Sequence, residues 1–366
     1  MATDSMIRLE AVTKVFPGSA RPAVDNLSLE VGRGEFVTLV GPSGCGKTTT
    51  LKMINRIIEP TSGQILIDGH DALGRPAHEL RRSIGYVIQQ IGLFPHRTIA
   101  QNIATVPMLL GWEQSRIDDR VVELADTVGL ETEMLARYPA ELSGGQQQRV
   151  GVARALAADP PVLLMDEPFG AVDPIVRKRL QQEFHDLQDR LGKTVVFVTH
   201  DVDEAIFLGN RMAILNVGGI LEQYDTPTKI LAEPANAFVE SFLGGERGLK
   251  RLGLLPVSTA ELSRGPFVDI SATAEEARRV IEEHGVDWLG VLDGDRLLGW
   301  VDGGDLGTTL RDLNPRPFLV TLSSDSSLRA ALEAVITGHA RVAVVVDNGV
   351  YRGMLDLEAI SEEITE

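Results

Sequence analysis

A single cysteine, Cys45, stands in a chain of 366 residues, so intramolecular disulfides and cysteine-cluster metal sites are excluded and a reducing compartment is expected. No apolar run reaches the ~18 to 20 residues that a membrane-crossing helix needs. Residues 1–10 have no basic flank followed by an apolar stretch, and the chain is therefore expected to be neither secreted nor inserted in a bilayer. Positive charge is also scarce. Lysines and arginines number 35 against 52 acids, a net charge of −17, which excludes a general nucleic-acid surface built from clustered cations. Any phosphate bound here is held locally.

The length exceeds one compact core at ~100 to 200 residues per domain, so two unequal domains are expected, 1–245 and 246–366. In the first, apolar runs such as residues 35–40, 162–165 and 194–198 alternate with helical stretches such as 174–191, the pattern of an α/β fold with a largely parallel sheet. A glycine-rich, charged segment at 244–250 ends that pattern. The second part holds 12 lysines and arginines against 21 acids, a net of −9, and repeats itself. Phe267 and Val268, a helix over 274–283, an apolar run at 288–292 and a second at 297–301 with Gly299 recur as Phe318 and Leu319, then 328–336, 342–346 and 350–355 with Gly353. Two copies of a β-α-β-β-α unit, about 252–312 and 313–366, are implied.

Gly41-Pro42-Ser43-Gly44-Cys45-Gly46-Lys47-Thr48 fits GxxxxGK[ST] between a strand and a helix. Its glycines let backbone N–H groups converge on phosphate oxygens, the helix N-terminus adds a favourable dipole, Lys47 reaches the β and γ phosphates, and Thr48 can ligate Mg²⁺. Cys45 occupies an unspecified position as a small filler. Residues 162–165 deliver Asp166 and Glu167 at the end of a buried strand, where open α/β sheets place their ligands. Asp166 is expected to hold Mg²⁺ and Glu167 to orient and deprotonate the attacking water.

These motifs define a P-loop NTPase. Leu142-Ser143-Gly144-Gly145-Gln146, opening a helix, makes the chain resemble the ABC ATPases. The resemblance implies an ATPase domain with a helical subdomain, in which Ser143, Gly144, Gly145 and Gln146 face the nucleotide held by a second copy. It further implies that Phe16 stacks on adenine, that Thr49 joins the phosphate loop, and that Gln89 or the adjacent Gln90 touches Mg²⁺ and the water. Asp173 would cross the dimer interface and His200 would contact the γ-phosphate. Where the family more often has serine, this chain has Gly170. With one P-loop and one signature per chain, a homodimer is the minimal active unit, and ATP and Mg²⁺ are the expected cofactors.

Residues 51–56, 59–63 and 84–96 resemble the ATPases of osmoprotectant importers for glycine betaine, choline or carnitine. The repeat resembles a tandem pair of CBS modules, a regulatory addition in that family. These likenesses imply an ATPase peripheral to the cytoplasmic face of the membrane, docked through residues 89–110 on permease subunits that work with an extracytoplasmic substrate-binding protein. An importer for another small solute, or a non-transport ABC ATPase, are the alternatives. A regulatory nucleotide would use Asp305 of the first repeat, while the second has Ala359 at the matching place.

Overall fold

The computed structural model describes residues 5–89, 92–170, 172–307 and 310–365, and it divides into two units, Met1–Leu243 and Gly244–Glu366. The strands of the first unit are, in chain order, β1 Ser5–Lys14, β2 Val24–Gly32, β3 Phe36–Val40, β4 Ser62–Ile67, β5 His70–Asp71, β6 Ile84–Val87, β7 Val162–Asp166, β8 Thr194–Val198, β9 Arg211–Asn216 and β10 Ile220–Asp225. They form two sheets. One is antiparallel, ordered β2-β1-β4-β5; the other, ordered β10-β9-β3-β8-β7-β6, is parallel except for the β9–β10 hairpin.

Every residue of β3, β7 and β8 is buried, which accounts for their unbroken apolar sequence. Successive side chains point to opposite faces and feed two cores. Phe36, Leu163, Met165, Val195 and Phe197 join a cluster with the helical residues Ile117, Leu124, Val150 and Phe184 and with Phe169 of the turn after β7. Val37, Leu39, Val162, Leu164, Val196 and Val198 join the other, with Ile7, Leu9, Leu29 and Ile65 of the antiparallel sheet. The parallel sheet is thus a central layer between helices and a second sheet.

In the second unit β11 Phe267–Asp269, β12 Trp288–Asp293, β13 Arg296–Asp302, β14 Thr321–Leu322, β15 Ala343–Asp347 and β16 Val350–Leu355 make one sheet ordered β11-β12-β13-β16-β15-β14. The order reads outward from a central β13–β16 pair with the same connectivity on each side. Three departures from the expected repeat appear. The first strand of the second copy lies at Thr321–Leu322, not at Phe318 and Leu319; Pro315 and Pro317 withhold backbone donors there, and Leu319 is 80% exposed. The first copy closes, among the described residues, in short 3-10 turns at Gly303–Asp305 and Leu310–Asp312, whereas the second ends in the helix Leu357–Thr365. Gly303, Gly304 and Gly307 disfavour a helix at the first place. Finally, the helix Arg247–Leu254 sits against the helices of the second copy, and Val257 N–H and Ser258 N–H donate to Ser326 and Ser324 carbonyls.

Candidate nucleotide site

The parallel sheet's strand order puts four loop starts side by side: the one with Gln89 follows β6, Asp166 ends β7 with Glu167 next, His200 lies two residues beyond β8, and the phosphate loop follows β3. The loop leads into the helix Lys47–Ile54, whose N-cap, Gly46, has a left-handed φ of 100° and offers no side chain to cap it. Backbone N–H groups of the first turn therefore lack an intrahelical partner and form a natural anion cradle. Lys47 is buried, and its Nζ donates to the carbonyls of Gly41 (2.7 Å) and Pro42 (3.2 Å). Ser43 and Gly44 are exposed; Gly46, Lys47, Thr48, Thr49 and Glu167 help line a recess of about 210 Å³.

Thr48 Oγ1 donates to Asp166 Oδ1 at 2.8 Å, joining the loop to the carboxylate one strand beyond β8. Asp166 is buried, and that burial raises its pKa against the lowering by the Thr48 hydroxyl and by Lys52. Burial likewise pushes the Tyr86 hydroxyl up to about 12.

Glu167 is where the elements converge. Its backbone is left-handed, φ 44°, with its N–H held by the Val198 carbonyl at 2.9 Å, an unusual conformation for a residue with a side chain. Its Oε2 accepts from Gln89 Nε2 at 3.2 Å and lies 3.2 Å from His200 Nδ1. Gln89 and His200 are exposed, and Glu167 is partly so. The geometry uses Gln89; Gln90 lies outside the described residues.

Other expected residues sit away from this convergence. Ser143 caps the helix Gly144–Leu156, accepting from Gln146 N–H at 3.3 Å while the Gln146 side chain accepts from Ser143 N–H at 2.9 Å. Ser143 and Gly144 are exposed, and neither lines the phosphate recess. Asp173 is exposed at the start of the helix Pro174–Leu191. Phe16, 40% exposed, lies just after β1 with Lys14 Nζ 5.3 Å from its ring centre. Cys45 is buried, with Sγ 3.6 Å from Lys47 Nζ. In the second unit Asp305 pairs with Arg316 at 3.6 Å, and Arg316 lies over Trp300, whose ring is tilted 30° to that of His339 at 5.1 Å.

A group that reading the sequence missed surrounds Glu204, a buried carboxylate one turn after His200 that accepts from Gln181 Nε2 at 2.8 Å. Asp201 and Glu204, spaced as a capping pair, carried a signal, but one that points to a helix cap. Among the described residues no cluster of three or more His, Cys, Asp or Glu could hold a metal alone, and no helix is long and apolar enough to cross a membrane.

The family described as ABC transporter matches residues 24–170, and the CBS domain matches residues 310–366. The osmoprotectant import ATP-binding protein OsmV of Salmonella typhimurium is 47% identical over 98% of this chain and 96% of its own length. The glycine betaine/carnitine/choline transport ATP-binding protein OpuCA of Bacillus subtilis is 53% identical over 81% of this chain and 78% of its own. Among solved structures, the dimeric post-hydrolysis state of the cassette MJ0796 bound to ADP and Pi aligns at a TM-score of 0.55 and 36% identity, covering 60% of this chain and 98% of that one.

Proposed function

The chain belongs to the family of ABC transporter ATP-binding proteins, and from that premise we propose that it is the ATP-hydrolysing subunit of an importer for quaternary-amine osmoprotectants such as glycine betaine, choline or carnitine. The observation that carries the catalytic part is Glu167 Oε2 between Gln89 and His200 beside the phosphate loop. Backbone N–H groups of residues 43–49 and the Lys47 ammonium bind the phosphates, and Phe16 supports the adenine. Thr48 and Asp166, whose oxygens already meet at 2.8 Å, fit a hard divalent cation completed by Gln89 and nucleotide oxygens. When bound, Mg²⁺ neutralises phosphate charge as it develops. Glu167 orients the attacking water and accepts its proton, and His200 donates to the γ-phosphate.

The signature residues Ser143, Gly144, Gly145 and Gln146, with Asp173, face the nucleotide of a second copy, so two chains share two sites. Closure on ATP and release after hydrolysis supply a cyclic motion. Exposed Met108, Leu109 and Leu110, within residues 89–110, offer an apolar surface to permease subunits on the cytoplasmic face of the membrane, which in turn receive solute from an extracytoplasmic binding protein.

The acidic second unit regulates transport in response to ionic strength or a cyclic dinucleotide, with one site at Asp305 and none matching at Ala359. Its net charge of −9 makes its contacts salt-sensitive. A reconstituted complex truncated after Gly245 with unchanged salt and nucleotide dependence would remove the regulatory role. The test of the motor is Mg²⁺-dependent ATP hydrolysis against protein concentration for wild type and Glu167→Gln. A more-than-proportional rise for wild type, and an ATP-trapped dimer with turnover reduced about 10²- to 10⁴-fold for the variant, are expected. Activity linear in concentration and indifferent to Glu167 would overturn the reading.

A further inference from the structure

His200 stands in the turn between β8 and the helix Val202–Leu208, and the residues on both sides of it are fixed by hydrogen bonds. Thr199 Oγ1 accepts from Asp201 N–H at 3.0 Å, and its hydroxyl lowers the Glu204 pKa against the burial that raises it. Asp201 Oδ1 accepts from the N–H groups of Asp203 (2.9 Å) and Glu204 (3.2 Å). In a capping box the Glu204 side chain would return to the Asp201 N–H. Here Thr199 has taken that donor, and Glu204 turns inward, only 6% exposed.

Its hydrogen-bond partner is on another element. Gln181 Nε2 donates to Glu204 Oε1 at 2.8 Å from the helix Pro174–Leu191. The first turn of that helix is tied to Asp173: Arg177 N–H donates to the Asp173 carbonyl at 2.8 Å, and Arg177 Nη2 to the Val172 carbonyl at 3.0 Å. The Arg177 charge also acts favourably on the Glu204 carboxylate. A buried carboxylate is costly unless hydrogen-bonded, and this one, in the first turn of the helix that follows His200, is held from the helix that follows Asp173.

We propose, resting on the ATPase reading above, that Glu204 is a positioning residue that fixes His200 and joins its turn to the helix behind Asp173. The substrate never meets Glu204. It acts by keeping the β8 turn and the Asp173 turn in one register, so that His200 is in place when Asp173 is engaged by a second copy.

The experiment uses the full chain and compares kcat, KM for Mg-ATP and melting temperature of wild type, Glu204→Ala, Glu204→Gln, Gln181→Leu and His200→Ala. Misplacing His200 by about an ångström costs on the order of 10- to 100-fold in rate. Glu204→Ala is therefore expected to lower kcat by that factor with KM within about twofold. Glu204→Gln, whose amide oxygen still accepts from Gln181, retains most of the rate. Gln181→Leu lowers kcat with KM unchanged, and it carries the test where Glu204→Ala yields no folded protein. A wild-type kcat in Glu204→Ala or, failing that variant, in Gln181→Leu would overturn the proposal while an inactive His200→Ala left the ATPase reading standing. So would a Glu204→Gln as slow as Glu204→Ala with both melting equally low, because that describes packing alone. Full activity in His200→Ala would instead refute the role given to His200, and with it the proposal, while the ATPase reading would stand on the Glu167 test.

Discussion

Replacing Gly46 by alanine tests whether the backbone of the phosphate loop, and not its composition, makes the site. Two costs apply. At φ 100° any L side chain is strained, by about 1–2 kcal/mol. The added Cβ would also lie 2.5 Å from the Ala23 carbonyl oxygen and 3.0 Å from Val24 Cγ2. The first of these is backbone and cannot rotate away, so overpacking adds about 1–3 kcal/mol. Gly44 is the internal control: its φ is 80°, but a Cβ there meets nothing within 4 Å, so Gly44→Ala carries the first cost alone. In a unit of this size 1 kcal/mol moves the melting temperature by about 2–4 °C, so Gly46→Ala is expected to melt roughly 2–12 °C below Gly44→Ala. Calorimetry of the full chain, following the transition of the nucleotide-binding unit, reads the difference. Nucleotide binding should fall with Gly46→Ala, because relieving the overlap moves the N-cap whose neighbours form the anion cradle. Equal melting temperatures for the two variants would refute the steric argument.

Thr48→Val leaves the buried Asp166 carboxylate without its hydroxyl donor, a loss of about 1–3 kcal/mol, whereas Thr48→Ser keeps it. Thermal unfolding without nucleotide separates the two, and identical midpoints would show that the hydrogen bond contributes nothing. In the second unit, the Ser324 hydroxyl and N–H hold Asp347 below the usual carboxylate range, as Ser271 and Gly294 do for Asp269. With the folded pKa depressed, the associated stability is complete above about 3.9, the unfolded value, and is lost as pH falls through the folded one. The unit's melting temperature should accordingly be insensitive to these groups between pH 7 and 5 and fall below about pH 4, and Asp347→Asn should flatten that fall in a pH series of melts.

How much of this was legible depends on how far each signal reaches along the chain. The phosphate loop could be read because glycine, lysine and threonine act through eight consecutive residues. The three-way meeting at Glu167 could be expected only from the family resemblance, since Gln89 lies 78 residues before it. Only the sheet order β8-β7-β6 makes Gln89, Glu167 and His200 neighbours. The strand at Thr321–Leu322 was missed because Phe318 and Leu319 copy the apolar pair of the first repeat while two prolines deny them the ladder. Glu204 was missed for the opposite reason: its spacing from Asp201 satisfies a local rule, but Thr199 takes the Asp201 N–H and Gln181 holds the carboxylate.

The same distinction bears on why the proposed site needs two copies of the chain. Ser143 and Gln146 satisfy each other within the cap, so the signature helix is built without a ligand, yet its exposed start still presents first-turn N–H groups that no intrahelical carbonyl can reach. The phosphate helix presents a second such start, at Gly46. Two N-terminal dipoles of one chain, each positive, gain nothing from approaching each other and much from sharing an anion. In the proposed dimer, a polyphosphate between the phosphate loop of one copy and the signature helix of another would provide it, and removal of the terminal phosphate would take away part of the charge that holds the two together.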